Sequence, residues 1–519
     1  MLNEGQTFAE SGIAAKRTTM PPSVLPPSVL RRALAMALLF AIAAFPSACN
    51  RQPEGAVKVT VIGETPRIVD PAAGPLAPGD AVLLANVAQG LVRFDARGQI
   101  EPGLAERWNV SNDGLSYIFR LASGEWPNRA KVTAHQAARI LRRELAANSD
   151  NPMKDTLGAV DEIVAMTDRV LEIRLRAPRP NLLQLLAQPE FALVREGQGS
   201  GPFRIAGGGA PAGAIPLERH VPGPDGEEER REDVWLRGAT APAAVRGFAA
   251  GDSDLLLGGT FAELPYARAV KLPRGALHFD PVSGLFGLAP ARPGGPLADT
   301  EVRQLLAQAI DRDALIAALD VPKLVGRATV LEAGLDGVPD PVTPQWLAVA
   351  FADRRPGLAV TADRIFGSKE RPTLRIALPG GPGAQLLFNR LAADWSVIGI
   401  KTERVAMGQP ADLKLIDAVA PSTSPAWFVR QFRCEVAPIC DGESEPLLDA
   451  ARAAPVAAQR GALLAEVARR IDELQLFIPI AAPIRWSLVS NRIEGFAGNR
   501  FGRHTLTSLD QKLNREGAQ

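Results

Sequence analysis

The chain has 519 residues, more than one hydrophobic core accommodates, so two large lobes or about three folding units are expected. Lys and Arg number 58 against 57 Asp and Glu, and a net charge of +1 leaves no basic field of the kind nucleic-acid binding requires. Hydrophobic residues at 46% fit a globular protein.

The N-terminal segment has the features of an export signal. Arg31 and Arg32 precede an apolar run over 33–45, and small residues Ser47 and Ala48 precede Cys49. The run is too short to span a bilayer well. Small residues before a cysteine resemble the lipobox of bacterial lipoproteins, in which the cysteine is acylated; Pro46 stands where Leu is usual. Residues 1–30 are long for a signal, and Met20 is an alternative start. Residues 1–48 are therefore expected to be a signal peptide and unfolded leader, and 49–56 a lipid-anchored linker.

From Val57 the residues VKVTVI alternate as a strand and end in a turn at Pro71. A helix up to Gln89 follows, then short strands divided by polar turns at 95–98 and 112–114. Thr133 and Gln136 form a capping box for a helix through Leu145. The glycines at 199–201 and 207–209 lie in no GxxxxGK[ST] or GxGxxG pattern, so they mark loops and not a phosphate cradle. The charged run 227–233 reads as a solvated loop. Over 296–319 two helices follow in succession. Val302, Leu305, Leu306, Ala309 and Ile310 share one face, with Glu301, Arg303, Gln304 and Gln308 outside it, and Asp299 and Asp311 are placed as N-caps. Further helical patterns cover 386–397 and 459–474.

Several of these stretches carry words of one family. PLADTEVRQLLAQAIDRDALI resembles the "P-F-x-D-x-x-V-R-x-A-L-x-x-A-I-D-R-x-x-L-I" run of the family 5 extracellular solute-binding proteins, the peptide, dipeptide and nickel receptors of ABC importers. Val69-Asp70-Pro71, GLAERW at 103–108, DGLSYIF at 113–119, GSGPFRI at 199–205 and Gly251 with Asp254 are similar to other words of that family. The resemblance covers about Val57 to Leu509. It implies an α/β fold of two lobes with a hinge, lobe I comprising 57–88, 199–271 and a return over 478–519, a subdomain inserted at 89–198, and lobe II at 272–477. It also implies a monomeric, periplasmic, membrane-anchored receptor that captures a peptide-like or other small solute between its lobes and delivers it to a permease and ATPase complex.

No residue pattern asks for catalysis or a cofactor. His135, His220, His278 and His504 are scattered, with no HExxH and no His/Cys cluster, so no metal is expected, and no serine sits in G-x-S-x-G. A periplasmic hydrolase, or a sensor or chaperone-like binder built on the same fold, are the alternatives to a transport receptor. Cys434 and Cys440, six apart in an exported chain, suggest a disulfide.

In peptide-binding members the ligand's ammonium is held by an aspartate just before a Pro-bearing turn of the second lobe. Aligned on Pro425, that position is Pro421 and the nearby aromatic is Ala418, so the amine clamp is missing unless Asp417 replaces it. Tyr117 and Tyr266 are the only tyrosines, which thins the aromatic lining available. Trp427 and Phe428, with Ser424 and Asp417, are the candidate ligand-contacting residues.

Overall fold

A computed structural model describes residues 55–222, 229–367 and 370–511. The leader 1–48 and Cys49 lie outside the described residues. Two large sheets and one smaller sheet organise the rest. The first is seven-stranded, in the order Leu277–Phe279, Arg485–Val489, Leu255–Thr260, Val57–Ile62, Glu229–Ala239, Ala214–Pro222, Arg204–Ile205. Val57–Ile62 sits at its centre and runs parallel to both neighbours. Its alternating sequence suggests one buried face, yet both faces are largely buried, because helices Pro78–Val87 and Ala241–Ala249 pack on it as in a parallel α/β sheet.

The second sheet has five strands, in the order Lys401–Ala406, Thr373–Leu378, Leu413–Val419, Gly284–Pro290, Ile478–Ala481. Between the first-lobe segments a four-stranded antiparallel sheet, Ala105–Val110, Ser116–Leu121, Val170–Leu175 and Val160–Thr167, carries helix Ala134–Glu144 and its capping box. The chain crosses between the large sheets twice, at 280–283 and 482–484. These crossings fall later than the boundaries expected at 272 and 478: Leu277–Phe279 still pairs in the first sheet, and Ile478–Ala481 in the second.

The charged run at 227–233 also departs from expectation. From Glu229 onward it is strand, paired with Ala214–Pro222, and its charges sit on an exposed end where Arg231 pairs with Asp233. Helix Phe351–Phe366 gave no clear sequence signal, since Pro356 and Gly357 interrupt it and among its residues only Leu358 and Ala362 are buried. Near 199 the glycines permit close approach: a Cβ on Gly199 would stand 2.3 Å from Ala88 Cα, so only glycine lets the chain pass the end of helix Pro78–Val87.

The helix pair forms as Thr300–Gln308 and Arg312–Leu319, with Asp299 accepting from Glu301 N (2.8 Å) and Asp311 from Ala314 N (3.1 Å). Arg303 does not join the solvated face. It is 3% exposed and donates to Leu474 O (2.9 Å) and Leu297 O (2.7 Å), the former a carbonyl at the end of helix Ala457–Glu473. Arg312 is buried as well, and donates to Ala307 O, Arg327 O and Pro479 O, each at 2.8 Å. Burial pulls its pKa down to about 9, so backbone dipoles and not a carboxylate satisfy the charge. The charged words of this stretch thus fasten the helix pair to neighbouring helix and strand ends.

Asp472, on the same helix 457–473, accepts from Val330 N at 2.7 Å, and burial pushes its carboxyl up to about 7 from an ordinary 3.8. Between those values the unfolded chain ionises while the folded one stays protonated, so stability falls as pH rises through this window and does not recover above it. Asp472→Asn is therefore expected to raise Tm relative to wild type at pH 8 and to leave it unchanged near pH 4, by calorimetry at both pH values.

Candidate functional site

The segment 420–424, which follows strand Leu413–Val419, carries the second lobe's face toward the inserted subdomain. It lacks a carboxylate, yet it is densely bonded. Gln188 Nε2 donates to Pro421 O (2.8 Å), Thr423 N donates to Gln184 Oε1 (3.0 Å), and Asn181 Nδ2 donates to Thr423 Oγ1 and to Asp336 Oδ2, each at 2.7 Å. Thr423 Oγ1 in turn donates to Asp336. Gln188 is oriented by Arg503, whose Nε donates to Gln188 Oε1 (3.0 Å). A polar seam therefore joins first-lobe and second-lobe residues.

Cavities lie on both sides of the seam. One, of ≈ 300 Å³, opens under the carboxyl ends of the parallel strands at Val61, Leu257 and Gly258, with helix residues Ala81 and Val82, and with Gln188, Arg485 and Arg503. The carboxyl ends of parallel strands are where α/β sheets hold ligands. Glu190 also lines it; Oε1 accepts from Arg503 (2.7 Å), while the buried Oε2 has no hydrogen-bond partner. The other cavity, of ≈ 130 Å³, lies between the inserted subdomain and the second lobe. Asn181, Leu185, Ser422, Ser424, Trp427, Leu448 and Leu464 line it, together with several arginines.

The expected ligand-contacting residues separate in this geometry. Ser424 and Trp427 reach the smaller cavity, Trp427 standing edge-on to Phe428 with ring centroids 5.1 Å apart. Phe428 does not line it: its side chain is 0% exposed in a core with Val429 and Phe432, because the short helix Pro425–Arg430 turns that face inward. Asp417 is not available as an amine clamp. Arg485 Nη1 donates to its Oδ1 at 2.8 Å and Nη2 to its carbonyl at 3.2 Å. Burial raises the Asp417 carboxyl while Arg485 opposes that rise. Asn181, Gln184, Gln188 and Asp336 carry no motif, and Asn181 lies 242 residues from Thr423. Their role emerges only when the chain is folded.

Cys434 and Cys440 are bonded, with Cα atoms 5.1 Å apart. Among the described residues no group of three or more His, Cys, Asp or Glu side chains could hold a metal ion, and no helix is long and apolar enough to cross a membrane.

The profile of the bacterial extracellular solute-binding proteins, family 5 (middle part), matches residues 99–411. A probable di/tripeptide-binding protein of Pseudomonas aeruginosa is 26% identical over 491 residues, which cover 81% of this chain and 89% of the relative. Among solved structures, OppA of Haemophilus influenzae in complex with RPPGFSPFR superimposes with a TM-score of 0.75 at 16% identity, covering 89% of this chain and 100% of that one. The Escherichia coli murein tripeptide binding protein MppA also gives 0.75, at 18% identity, with 88% and 99% covered.

Because Trp427 lines the smaller cavity and is only partly buried, Trp427→Ala is expected to weaken binding of a solute seated there about tenfold or more, the loss of one aromatic wall. The Tm of the unliganded protein should change little. Calorimetric titration and thermal melts of the two proteins check this.

Proposed function

The chain belongs to the bacterial extracellular solute-binding proteins of family 5, and from that premise we propose that it is the capture component of an ABC importer, closing two lobes around a peptide-like or other small solute and presenting it to a membrane permease. The observation that carries this reading is the polar seam from Asn181, Gln184 and Gln188 to Pro421, Thr423 and Asp336, with a cavity on each side. Such a seam can open and close as a unit, and a solute bound in either cavity biases it toward closure.

The name of the Pseudomonas aeruginosa relative refers to dipeptides and tripeptides, and a peptide-like solute is the reading for this chain as well. Its ammonium would not be met at 421, where a carbonyl already accepts from Gln188. Among the described residues Glu190 is the one carboxylate that lines the larger cavity, and its unpartnered Oε2, buried as placed, would have to turn toward the cavity to receive a donor from the solute. Ser424 and Trp427 are proposed as contacts in the smaller one.

Protein purified without refolding is expected to show, by native mass spectrometry, a mass increment that disappears on denaturation and corresponds to a small solute. A bare mass, both as purified and after incubation with cell extract, would count against capture.

We further infer that the chain is exported and held at the membrane through acylated Cys49, following Ser47 and Ala48. The Cys434–Cys440 bond fits an oxidising compartment. Several acyl chains hold a protein firmly where one does so only marginally. Cys49→Ser is accordingly expected to move the protein from the membrane fraction to the soluble fraction; equal membrane association of both forms would overturn the anchor.

A further inference from the structure

The smaller cavity is lined by five arginines, Arg179, Arg430, Arg433, Arg452 and Arg460, against one carboxylate, Asp155. A chain with 58 basic and 57 acidic residues does not produce such an excess through overall charge. Two of the five have acidic partners. Arg433 pairs with Glu445 (2.7 Å) and Asp449 (3.3 Å), and Arg430 stands 3.8 Å from Asp155, whose side chain is 73% exposed. Arg179, Arg452 and Arg460 make no ion pair among the described residues.

Arg179 and Arg460 are instead drawn together by backbone: Arg179 Nη1 (2.9 Å) and Arg460 Nη1 (3.0 Å) both donate to Pro178 O, and Arg179 Nη2 donates to Arg452 O (2.7 Å). Burial, with Arg460 and Arg452 close by, pulls Arg179 down to about 10. Desolvated like charges held side by side are unfavourable unless something of opposite charge enters between them. Arg179 belongs to the inserted subdomain and the others to the second lobe, so closing the lobes creates the cluster.

We infer that this cavity is an oxyanion subsite, in which Arg179 from one side and Arg452 and Arg460 from the other hold a carboxylate or phosphate group of the captured solute. Guanidinium forks match the paired oxygens of either group. Trp427, Leu185, Leu448 and Leu464 supply an apolar wall for the carbon skeleton that carries the anion. At ≈ 130 Å³ the space takes a small acidic solute or the acidic end of a larger one. The anion would then link both sides and favour closure. This rests on the solute-capture reading and specifies the chemistry that it leaves open.

The test uses the full mature protein, freed of co-purified solute by dialysis, at low ionic strength. Three probes are titrated calorimetrically: an N-acetylated tripeptide pool with free carboxyl ends, the same pool C-amidated, and inorganic phosphate. The free-acid pool is expected to bind at least tenfold more tightly than the amidated one, and the preference to vanish in Arg179→Gln/Arg460→Gln. Phosphate binding that vanishes in the same variant, with no preference between pools, would assign the site to a phosphorylated solute. Should the double variant not fold, Arg452→Gln, at an exposed position, is expected to lower the preference by itself. Equal binding of both pools without phosphate binding overturns the oxyanion subsite and leaves solute capture intact. Binding of no probe, when native mass spectrometry has found a bound solute, also overturns the subsite; when it has found none, solute capture fails too.

Discussion

The grip of Arg485 on Asp417 fixes where the two lobes meet. Arg485 begins the strand by which the chain re-enters the first sheet, and Asp417 lies on a strand of the second. The other crossing is fastened to the same place, since Asp280 N donates to Arg485 O at 3.0 Å and the Asp280 carboxylate meets His504 at 3.0 Å. Both side chains are only partly buried, Arg485 20% and Asp417 15% exposed, so losing one partner costs less than breaking a fully buried pair but still leaves the other charge poorly compensated. The two crossings are thus fastened to one another, and the polar seam is a second set of bonds between the lobes.

Closure is a balance between modest terms. Hydrogen bonds across the seam contribute about 1 kcal/mol each after exchange with water. Opposing them, guanidinium groups a few ångströms apart near a protein surface repel by roughly 1–4 kcal/mol. A ligand can shift such an equilibrium only by its differential affinity for the two states, and the nearer the two states lie in free energy, the less differential affinity is needed. The same Asp417 that could have served as a ligand-binding acid is committed to Arg485.

How much of this the sequence discloses depends on the distance over which each interaction acts. The capping box at Thr133 and Gln136, the caps Asp299 and Asp311, and the central strand Val57–Ile62 are local patterns, and they are legible. Family words extended that reading to two lobes and an inserted subdomain. Burial of charge is not local: Arg303 and Arg312 read as helix surface but meet carbonyls contributed by remote segments, from Leu474 and Pro479. Helix Phe351–Phe366 shows little of an apolar face because few of its side chains are buried. At the candidate site Trp427 and Ser424 were legible as neighbours of a Pro-bearing turn, whereas Asn181, Gln184 and Gln188 were not, since ordinary amides become a seam only through pairing with residues 155 to 242 positions away.

Gln188 and Pro421 bear on timing as well as affinity. Their bond, with those of Asn181 and Gln184 to Thr423, stands between the two cavities and joins their walls. A solute whose exit required the seam to part would have its residence time bounded by the opening rate of the protein, however many contacts the solute itself makes. Solutes of quite different affinity would then leave at similar rates. A permease that pries these lobes apart would release its cargo without competing for a single ligand contact.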